Sequence, residues 1–595
     1  MADLAAEYLS RIEDFKKQHV LISSEDPAAL FMRLKGGELA ALDEGVSQGR
    51  WLLNGKLLHS DRDASREAAR AAAAFGSARA LVCVSVGAGY ILGHLPATVR
   101  DVLIIEPNPF CLAAFFLSAE FKKCRARLTL YTDALTATDA LETILPWLQG
   151  KNLKQTLIYV HPAARAADTA LYTRAYERVV QLFEKRSVNQ ATIVKFQRLW
   201  NKNIFLNQRV MPAAGTLHDL LQLPAPEAIV LAGAGPSLAE SFGELRANRD
   251  RFVLIAADTA VVPLAKAGIY PDLAFAADPQ WVNHHFAETS DAAHAAWVMD
   301  PVVCPQIPRA LAMQSTRLFF WNNVFLSDRV LRPADRGDVA HGGSVSTNAF
   351  DVATRWLLNR GAGSGPGRLI LVGQDLSFPN RQAHCKGAVL EAQVYARSHR
   401  LSAMEQHNLR QMRALPVLWV KGIRQARVAT NAKLAIFLEW FAARAAEKDP
   451  LIRLINSTYD GAHIAGFEHA PLGLALEGLA AARFSVPAVR EARSPAGEHM
   501  AKLIEDLATI ARLMQENARL SLIAAPDQKS LQKLNANDEH FKSLKTAKDI
   551  AALAQQALIL KITEQGEDVN AHEFYHAMAR AALEVRHWAR KVALG

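Results

Sequence analysis

Cysteine is scarce in this chain: five in 595 residues (Cys83, Cys111, Cys124, Cys304, Cys385), an odd number with no CxxC pair. A disulfide scaffold and a zinc ribbon both need paired spacings, so neither is expected. Long apolar runs are also lacking. The longest candidate, Ala80–Leu95 (ALVCVSVGAGYILGHL), contains Gly87, Gly89 and Gly93 and closes on a histidine. It falls short of the roughly 18 to 20 residues of a membrane span, and a buried strand followed by a glycine turn accounts for it better. The N-terminus, MADLAAEYLSRIEDFKKQH, mixes acids with bases and has no apolar signal core, so a cytoplasmic location is expected. Charge of one sign is thin: a formal +9, spread along the chain, with 21% charged and 50% hydrophobic residues. That is ordinary soluble composition. The basic stretch Lys185–Arg209 reads as a solvated helix face between domains, with a surface for an acidic partner or a sugar nucleotide as the alternative. No nucleic-acid module is recognisable, and no nucleic-acid partner is expected.

What is present is a repeated βα pattern. The length exceeds a single hydrophobic core, so several domains are expected. Residues 1–70 look helical, with Leu4, Tyr8, Leu9 and Ile12 at helical spacing. Residues 71–180 alternate short strands (Leu81–Val86, Val102–Ile105, Leu128–Tyr131, Thr156–Val160) with helices, a Rossmann-like pattern. Residues 181–224 return to helix as a connector. A second βα series fills 225–475, with strands at Ala228–Ala232, Val253–Ala257, Leu273–Ala277, Arg317–Trp321 and Leu369–Gly373. Its helices are expected at Leu238–Leu245, Ala260–Ala267 and Ser346–Asn359, and GAGSGPG (Gly361–Gly367) reads as a loop. Residues 476–595 form a helical C-terminal domain carrying the apolar stripes Leu503, Leu507, Ile510, Met514 and Ile550, Leu553, Ala557, Leu560. The fold class is therefore α/β: two Rossmann-like parallel-sheet domains between helical ends.

Each sheet opens on a glycine turn. In the first, VGAGYILGHL spaces its glycines G-x-G-x-x-x-G, one residue longer than the dinucleotide fingerprint, and the next strand ends at Glu106. A cofactor site and a purely structural Rossmann turn both fit. In the second, LAGAGPSL frees the strand-to-helix turn of side chains at Gly233 and Gly235, and puts Pro236 at the first helical position. It also offers the Ser237 hydroxyl to an orphan amide or a phosphate oxygen. The lysine and GK[ST] tail of a P-loop are absent, which excludes ATP binding by that route. Asp258 and Asp278 close the next two strands (AADTA, AADPQ). Beside Gly233 on the carboxyl rim of an open sheet, they would hold ribose or sugar hydroxyls or Mg²⁺, whereas each alone fits a helix cap. HGGSVSTNAFDVA (His341–Ala353) gives a second anion cradle at a helix start capped by Ser344 or Ser346, with Gly343 before it. LILVGQDLSFPNRQAHCKG ends a strand in Gln374-Asp375 and carries His384 in the following loop. Asp375 would orient or bind hydroxyls there, and His384 would shuttle a proton. The fifth block, NSTYDGAHIAGFEHAPL (Asn456–Leu472), is rich in polar groups, but its His463 and His469 lack a metal-ligand spacing, so no metal is assigned.

Taken together, GAGPSL, AADTAVVPLAKAGIYPDLAFAADP, HGGSVSTNAFDVA, LILVGQDLSF with its following histidine, and NSTYDGAHIAGFEH resemble the motility-associated factor (Maf) family. The resemblance runs from about residue 70 to 475 and is strongest over 228–387. It implies a flagellin glycosyltransferase that moves a nonulosonic acid, pseudaminic or legionaminic in type, from its CMP-activated form to Ser or Thr of flagellin, as flagellar assembly and motility require. The central region is also similar to bacterial CMP-sialic acid-dependent sialyltransferases, in which GNGPSL opens the nucleotide pocket; here Ala234 stands in place of Asn. Carried over, Gly233, Gly235, Pro236 and Ser237 would line the CMP pocket, with Gly343 and Ser344 near phosphate or cytosine. The catalytic histidine of the sialyltransferases lies further beyond its GxD strand than His384 does. The expected catalytic set is His384, Asp375 and Asp278, and the expected donor-binding set adds Asp258 and Gln374. The resemblance implies an inverting reaction with the CMP-sugar as donor and flagellin as partner, needing no cofactor or metal. Two alternatives stand beside it. One is a pyrophosphokinase like the archaeal pterin enzymes, using Asp258 and Asp278 with Mg²⁺ and ATP. The other is a non-enzymatic module whose C-terminal helices bind flagellin.

Overall fold

Runs such as AIVLA, VLIAA and LILV lack polar alternation because both faces of their strands are covered, the signature of a parallel sheet packed between helices. The structure is a computed structural model and describes residues 2–23, 25–132, 147, 155–288, 290–332, 334–361, 365–400, 403–447, 449–481, 484–486, 497–523, 525–554 and 570–593. These form two compact units, 1–193 and 194–595.

The first unit contains β1 (Val20–Ile22), the hairpin β2 (Leu52–Leu53) and β3 (Lys56–Leu57), then β4 (Ala80–Val84), β5 (Asp101–Ile105), β6 (Arg127–Tyr131) and β7 (Thr156–Val160). Its main sheet is parallel throughout, in the order β1-β6-β5-β4-β7. The N-terminal segment is mostly helical, and its first helix, Ala2–Lys16, buries Tyr8, Ile12 and Phe15. It also supplies β1, which pairs with β6. Three residues are too few to display a strand period, so β1 is visible only through its partner.

The second unit adds β8 (Gly215–Thr216), β9 (Ala228–Ala232), β10 (Val253–Ala257), β11 (Leu273–Ala276), β12 (Ala296–Met299), β13 (Leu318–Phe320) and β14 (Gly367–Val372). The hairpin β15 (Val417–Lys421) and β16 (Arg427–Asn431) follows, then β17 (Ile452–Asn456) and β18 (Glu468–His469). Among the described residues, nine of these make one parallel sheet, β18-β17-β14-β9-β10-β11-β12-β13-β8. Alternate residues of each strand feed different cores: Val230, Leu254 and Ile370 pack on one side, Leu231, Ile255 and Leu371 on the other. Beyond the sheet, helices Gly497–Leu520 and Ala571–Ala593 pack together, burying Leu503, Leu507, Ile510 and Met514 with Val585 and Trp588. Of the second stripe Ile550 is buried, while Ala557 and Leu560 lie outside the described residues, as do 362–364 of the GAGSGPG loop. No described helix is long and apolar enough to cross a membrane.

In both sheets the chain steps outward from a central strand and then returns to its other side. β4 leads to β5 and β6 before β7 lands beside β4; β9 leads to β10 through β13 before β14 lands beside β9. Open α/β sheets bind ligands at such reversals, beyond the carboxyl ends of the strands. Each of the two glycine turns lies at one.

Candidate functional site

In the larger sheet, the turn after β9 and the turn after β14 touch along their backbones. Gly233 N donates to Val372 O and Gly235 N to Gly373 O, each at 2.9 Å. A Cβ on Gly233 would lie 2.5 Å from Gln374 Nε2, and one on Gly235 would lie 2.5 Å from Asp375 Oδ1. Gly373 has φ +62, and a Cβ there would meet Gly233 O at 2.5 Å. These glycines are therefore required by the contact between the two turns, before any ligand is considered. Pro236 begins the 3-10 turn Pro236–Ser241. Ser237 then donates twice to the Asp375 carboxylate, from N (2.8 Å) and from Oγ (2.6 Å). Asp375 is almost fully buried, and burial pushes its carboxyl up to about 7 despite the two bonds from Ser237.

A second wall comes from the helix Val345–Leu358. Ser344 caps it, accepting from Thr347 N at 3.2 Å, and Gly343 (φ +91) stands exposed before the cap. Gln374 joins this wall to the first: its Nε2 donates to Ser346 Oγ (2.8 Å), and its backbone N donates to Thr458 Oγ1 (3.1 Å). The Asn456-Ser457-Thr458 segment completes the rim after β17. Among the described residues, Asn456 Nδ2 and Ser457 Oγ are buried without a hydrogen-bond partner. Buried polar atoms are nearly always paired, so these two call for an ordered water or a ligand atom.

Asp258 and Asp278 stand at the carboxyl ends of β10 and β11. Asp258 is the first residue of the helix Asp258–Lys266, with Ala257 in the cap position, and its Oδ1 accepts from Thr259 N (2.7 Å). Burial pushes its carboxyl up to about 7, with the nearby Asp278 adding to the shift. Asp278 is half-buried and folds back on its own turn, accepting from Gln280 N at 2.8 Å. His384 belongs to a loop tied to the glycine turn, since Cys385 N donates to Ala234 O at 2.9 Å. Its ring lines a small recess with Glu391, His407, Asn408 and Gln411. Burial, helped by Lys433 and His407, lowers its pKa and keeps the ring neutral at physiological pH.

The expected residues thus gather in three linked groups. Gly233, Gly235, Pro236, Ser237, Gln374 and Asp375 form the touching turns; Gly343 and Ser344 reach them through Ser346; His384 hangs from Ala234. A further polar network at the ends of β12 and β13 escaped the sequence reading. Asp300 accepts from Asn323 Nδ2 (2.7 Å) and Trp321 Nε1 (3.1 Å), Arg336 bonds the fully buried Asp328 at 2.5 Å, and His341 pairs with Asn348 at 3.0 Å. Its signal was available: VMDP at Asp300 repeats the strand-Asp-Pro pattern of AADPQ at Asp278.

The smaller sheet's reversal is filled by protein. Gly87 (φ +56) would place a Cβ 2.6 Å from His59 Nε2, and Ala88 N donates to that nitrogen at 2.9 Å. His161, after β7, packs on His59 with ring centroids 4.8 Å apart. Glu106 Oε1 accepts from Tyr172 at 2.8 Å, while its Oε2 is buried without a hydrogen-bond partner among the described residues.

With the larger site laid out, residues 202–381, from before β8 to just past β14, match the family described as 6-hydroxymethylpterin diphosphokinase MptE-like. A MAf glycosyltransferase of solved structure, from Magnetospirillum magneticum AMB-1, aligns over 99% of this chain and 97% of its own, with a TM-score of 0.51 and 14% identity. The two share a fold. Two uncharacterised proteins of Treponema pallidum (strain Nichols) are also similar. One is 23% identical over 265 residues, covering 40% of this chain and 62% of the relative; the other is 28% identical over 127 residues, covering 21% and 56%. The matches span less than two thirds of either curated relative.

Proposed function

We propose that this protein is a glycosyltransferase that moves a nonulosonic acid of the pseudaminic or legionaminic type from a CMP-activated donor to Ser or Thr hydroxyls of flagellin. The observation that carries the reading is the end-to-end likeness to the MAf glycosyltransferase. The topological reversal between β9 and β14 supports it, because the Maf-like motifs converge there.

In this reading the donor's phosphate and cytidine lie against Gly233–Ser237 and the Gly343-Ser344 helix start, whose free amides and dipole favour an anion. Asn456 and Ser457 take polar groups of the sugar or nucleotide. The acceptor oxygen attacks the anomeric carbon from the face opposite CMP, so configuration inverts. The bond to the phosphate oxygen breaks with its electron pair leaving on CMP, and the acceptor's proton passes to neutral His384. Asp375 acts through Ser237, holding the turn. Asp258 and Asp278 bind hydroxyls on the neighbouring strand ends. Neither a cofactor nor a metal enters the transfer.

The MptE-like match over 202–381 favours a second reading, a Mg²⁺- and ATP-dependent pyrophosphokinase using Asp258 and Asp278. Calorimetry separates the two: metal-independent CMP binding supports the transferase, while Mg²⁺-dependent ATP binding without CMP binding replaces it. The decisive measurement is the intact mass of flagellin co-expressed with this protein and a nonulosonate pathway. A glycan mass that disappears with Asp278→Ala, in a variant that keeps the wild-type circular dichroism, supports the proposal, and an unmodified flagellin with the wild-type chain ends it. If no nucleotide binds, a non-enzymatic flagellin-binding role takes its place.

A further inference from the structure

The loop after β11 holds a group of side chains that the transfer does not use. Trp281–Phe286 forms a short 3-10 turn beginning just past Asp278 and packs against helices Asp258–Lys266 and Gln306–Met313. One ligand atom each from His284, His285 and Glu288 lies within 4.8 Å of the others. His284 Nε2 is 2.9 Å from Glu288 Oε1, and His285 Nδ1 is 2.7 Å from Glu288 Oε2.

Hydrogen bonding by neutral rings does not account for this. His284 Nδ1 faces the carbonyl oxygen of Trp281, which can only accept, so that nitrogen carries the ring's N–H. In a neutral imidazole the other nitrogen then presents a bare lone pair. Here it points at a carboxylate oxygen, and two lone pairs at 2.9 Å repel unless a cation lies between them. A second proton on His284, with the Nδ1–H of His285 donating to the other carboxylate oxygen, would answer it as an ion pair. A metal ion would satisfy both rings and the carboxylate together. The carbonyl behind Nδ1 is also the partner that fixes a metal-binding histidine in its tautomer.

We infer that His284, His285 and Glu288 form a binding site for a divalent transition metal. Two nitrogens and a carboxylate suit Zn²⁺, Ni²⁺ or Co²⁺, whereas Mg²⁺ takes oxygen ligands. Ligand bonds of about 2.0–2.2 Å place tetrahedral donors about 3.3 Å apart, so the two histidine–carboxylate contacts would open by about half an ångström within a set of donors that already lies within 4.8 Å. Three protein ligands leave a fourth position for water or another donor. The ion would pin the loop following Asp278, at the carboxyl edge of the nine-stranded sheet. This inference does not depend on the donor being a CMP-sugar.

The test is calorimetric titration of the tag-free full chain with Zn²⁺, alongside Co²⁺ followed by visible absorption. The expected result is one site, a Co²⁺ spectrum of low coordination number that Zn²⁺ abolishes, and no competition from excess Mg²⁺. Glu288→Gln and His285→Asn, both on the exposed side of the cluster, should lose that site while keeping the wild-type circular dichroism. His284→Ala gives a third arm if it folds. Zn²⁺ binding unchanged in Glu288→Gln and His285→Asn, which would put the ion on other histidines, or no binding by the wild-type chain, overturns the inference.

Discussion

Asp375 is held as a positioning residue would be. Both of its oxygens are engaged by Ser237, one by an N–H and one by a hydroxyl. A hydroxyl can rotate to accept as well as donate. Asp375→Asn therefore keeps both contacts, and transfer should fall by no more than about tenfold, or about 1.4 kcal/mol in barrier. Asp375→Ala orphans the buried Ser237 amide, so it should destabilise by about 1–3 kcal/mol in denaturant unfolding and weaken CMP binding. Loss of transfer in the Asn variant with CMP affinity intact would instead make Asp375 a proton-transfer group. Gly235→Ala tests the same contact from the other side. Its φ is ordinary for any residue, but the new Cβ would sit 2.5 Å from Asp375 Oδ1. Overpacking of this kind costs about 1–3 kcal/mol, measurable by urea unfolding. His384 carries the complementary expectation: His384→Asn should lower transfer by about 10²- to 10⁴-fold. In the wild type, transfer should rise with pH through a value below the ordinary histidine range.

At the scale of elements, the two sheet reversals differ in what fills them, and this gives the smaller one its own pH response. Burial lowers His59 to about 3 and His161 to about 4. Both bind fewer protons folded than unfolded, so their stabilising contribution is complete above about pH 6.5 and is lost as pH falls toward 3–4. At about 1.4 kcal/mol per pH unit, each costs on the order of 3–5 kcal/mol at the acid end. Glu106 runs the other way, because burial raises it to about 7. It recovers on the order of 3 kcal/mol as pH falls from about 7 to 4.5, and then nothing more. Two histidines against one carboxyl give a net loss below about pH 6, of about 1.4 kcal/mol per pH unit, which steepens below about pH 4.5 once Glu106 has nothing more to give. Hydrogen-exchange protection of β4 and β7, corrected for intrinsic rates, should change little between pH 7 and 6, begin to fall below about pH 6 and collapse toward pH 3.5. A flat profile to pH 3.5 would show that the two rings are solvated.

For the whole molecule, every residue of the candidate donor site falls in the unit 194–595, and the cores on both faces of the nine-stranded sheet draw only on that unit. A fragment of residues 194–595 should therefore bind CMP as tightly as the full chain, by calorimetry. Binding lost in a fragment with native circular dichroism would mean that residues 1–193 contribute to the pocket.

By itself the sequence determined the βα alternation, the strands β9 and β10 to the residue, the amphipathic stripe Leu503–Met514 and the set of motifs at strand ends. These follow from local chemistry: apolar runs doubly buried in a parallel sheet, glycine and proline at turns, a serine at a helix start. It did not reveal β1, β8, β12 or β18, which are two to four residues long and exist through their neighbours in the sheet. Nor did it show why Gly233 and Gly235 must be glycine, since the atoms they avoid belong to Gly373, Gln374 and Asp375, about 140 positions later. Only the tertiary structure decided that β14 inserts beside β9. That placement makes one glycine turn half of an open rim, while His59 and His161 close the other from distant positions. Local pattern carries propensity, but contacts this far apart in the chain are fixed by strand order, which no window of sequence contains.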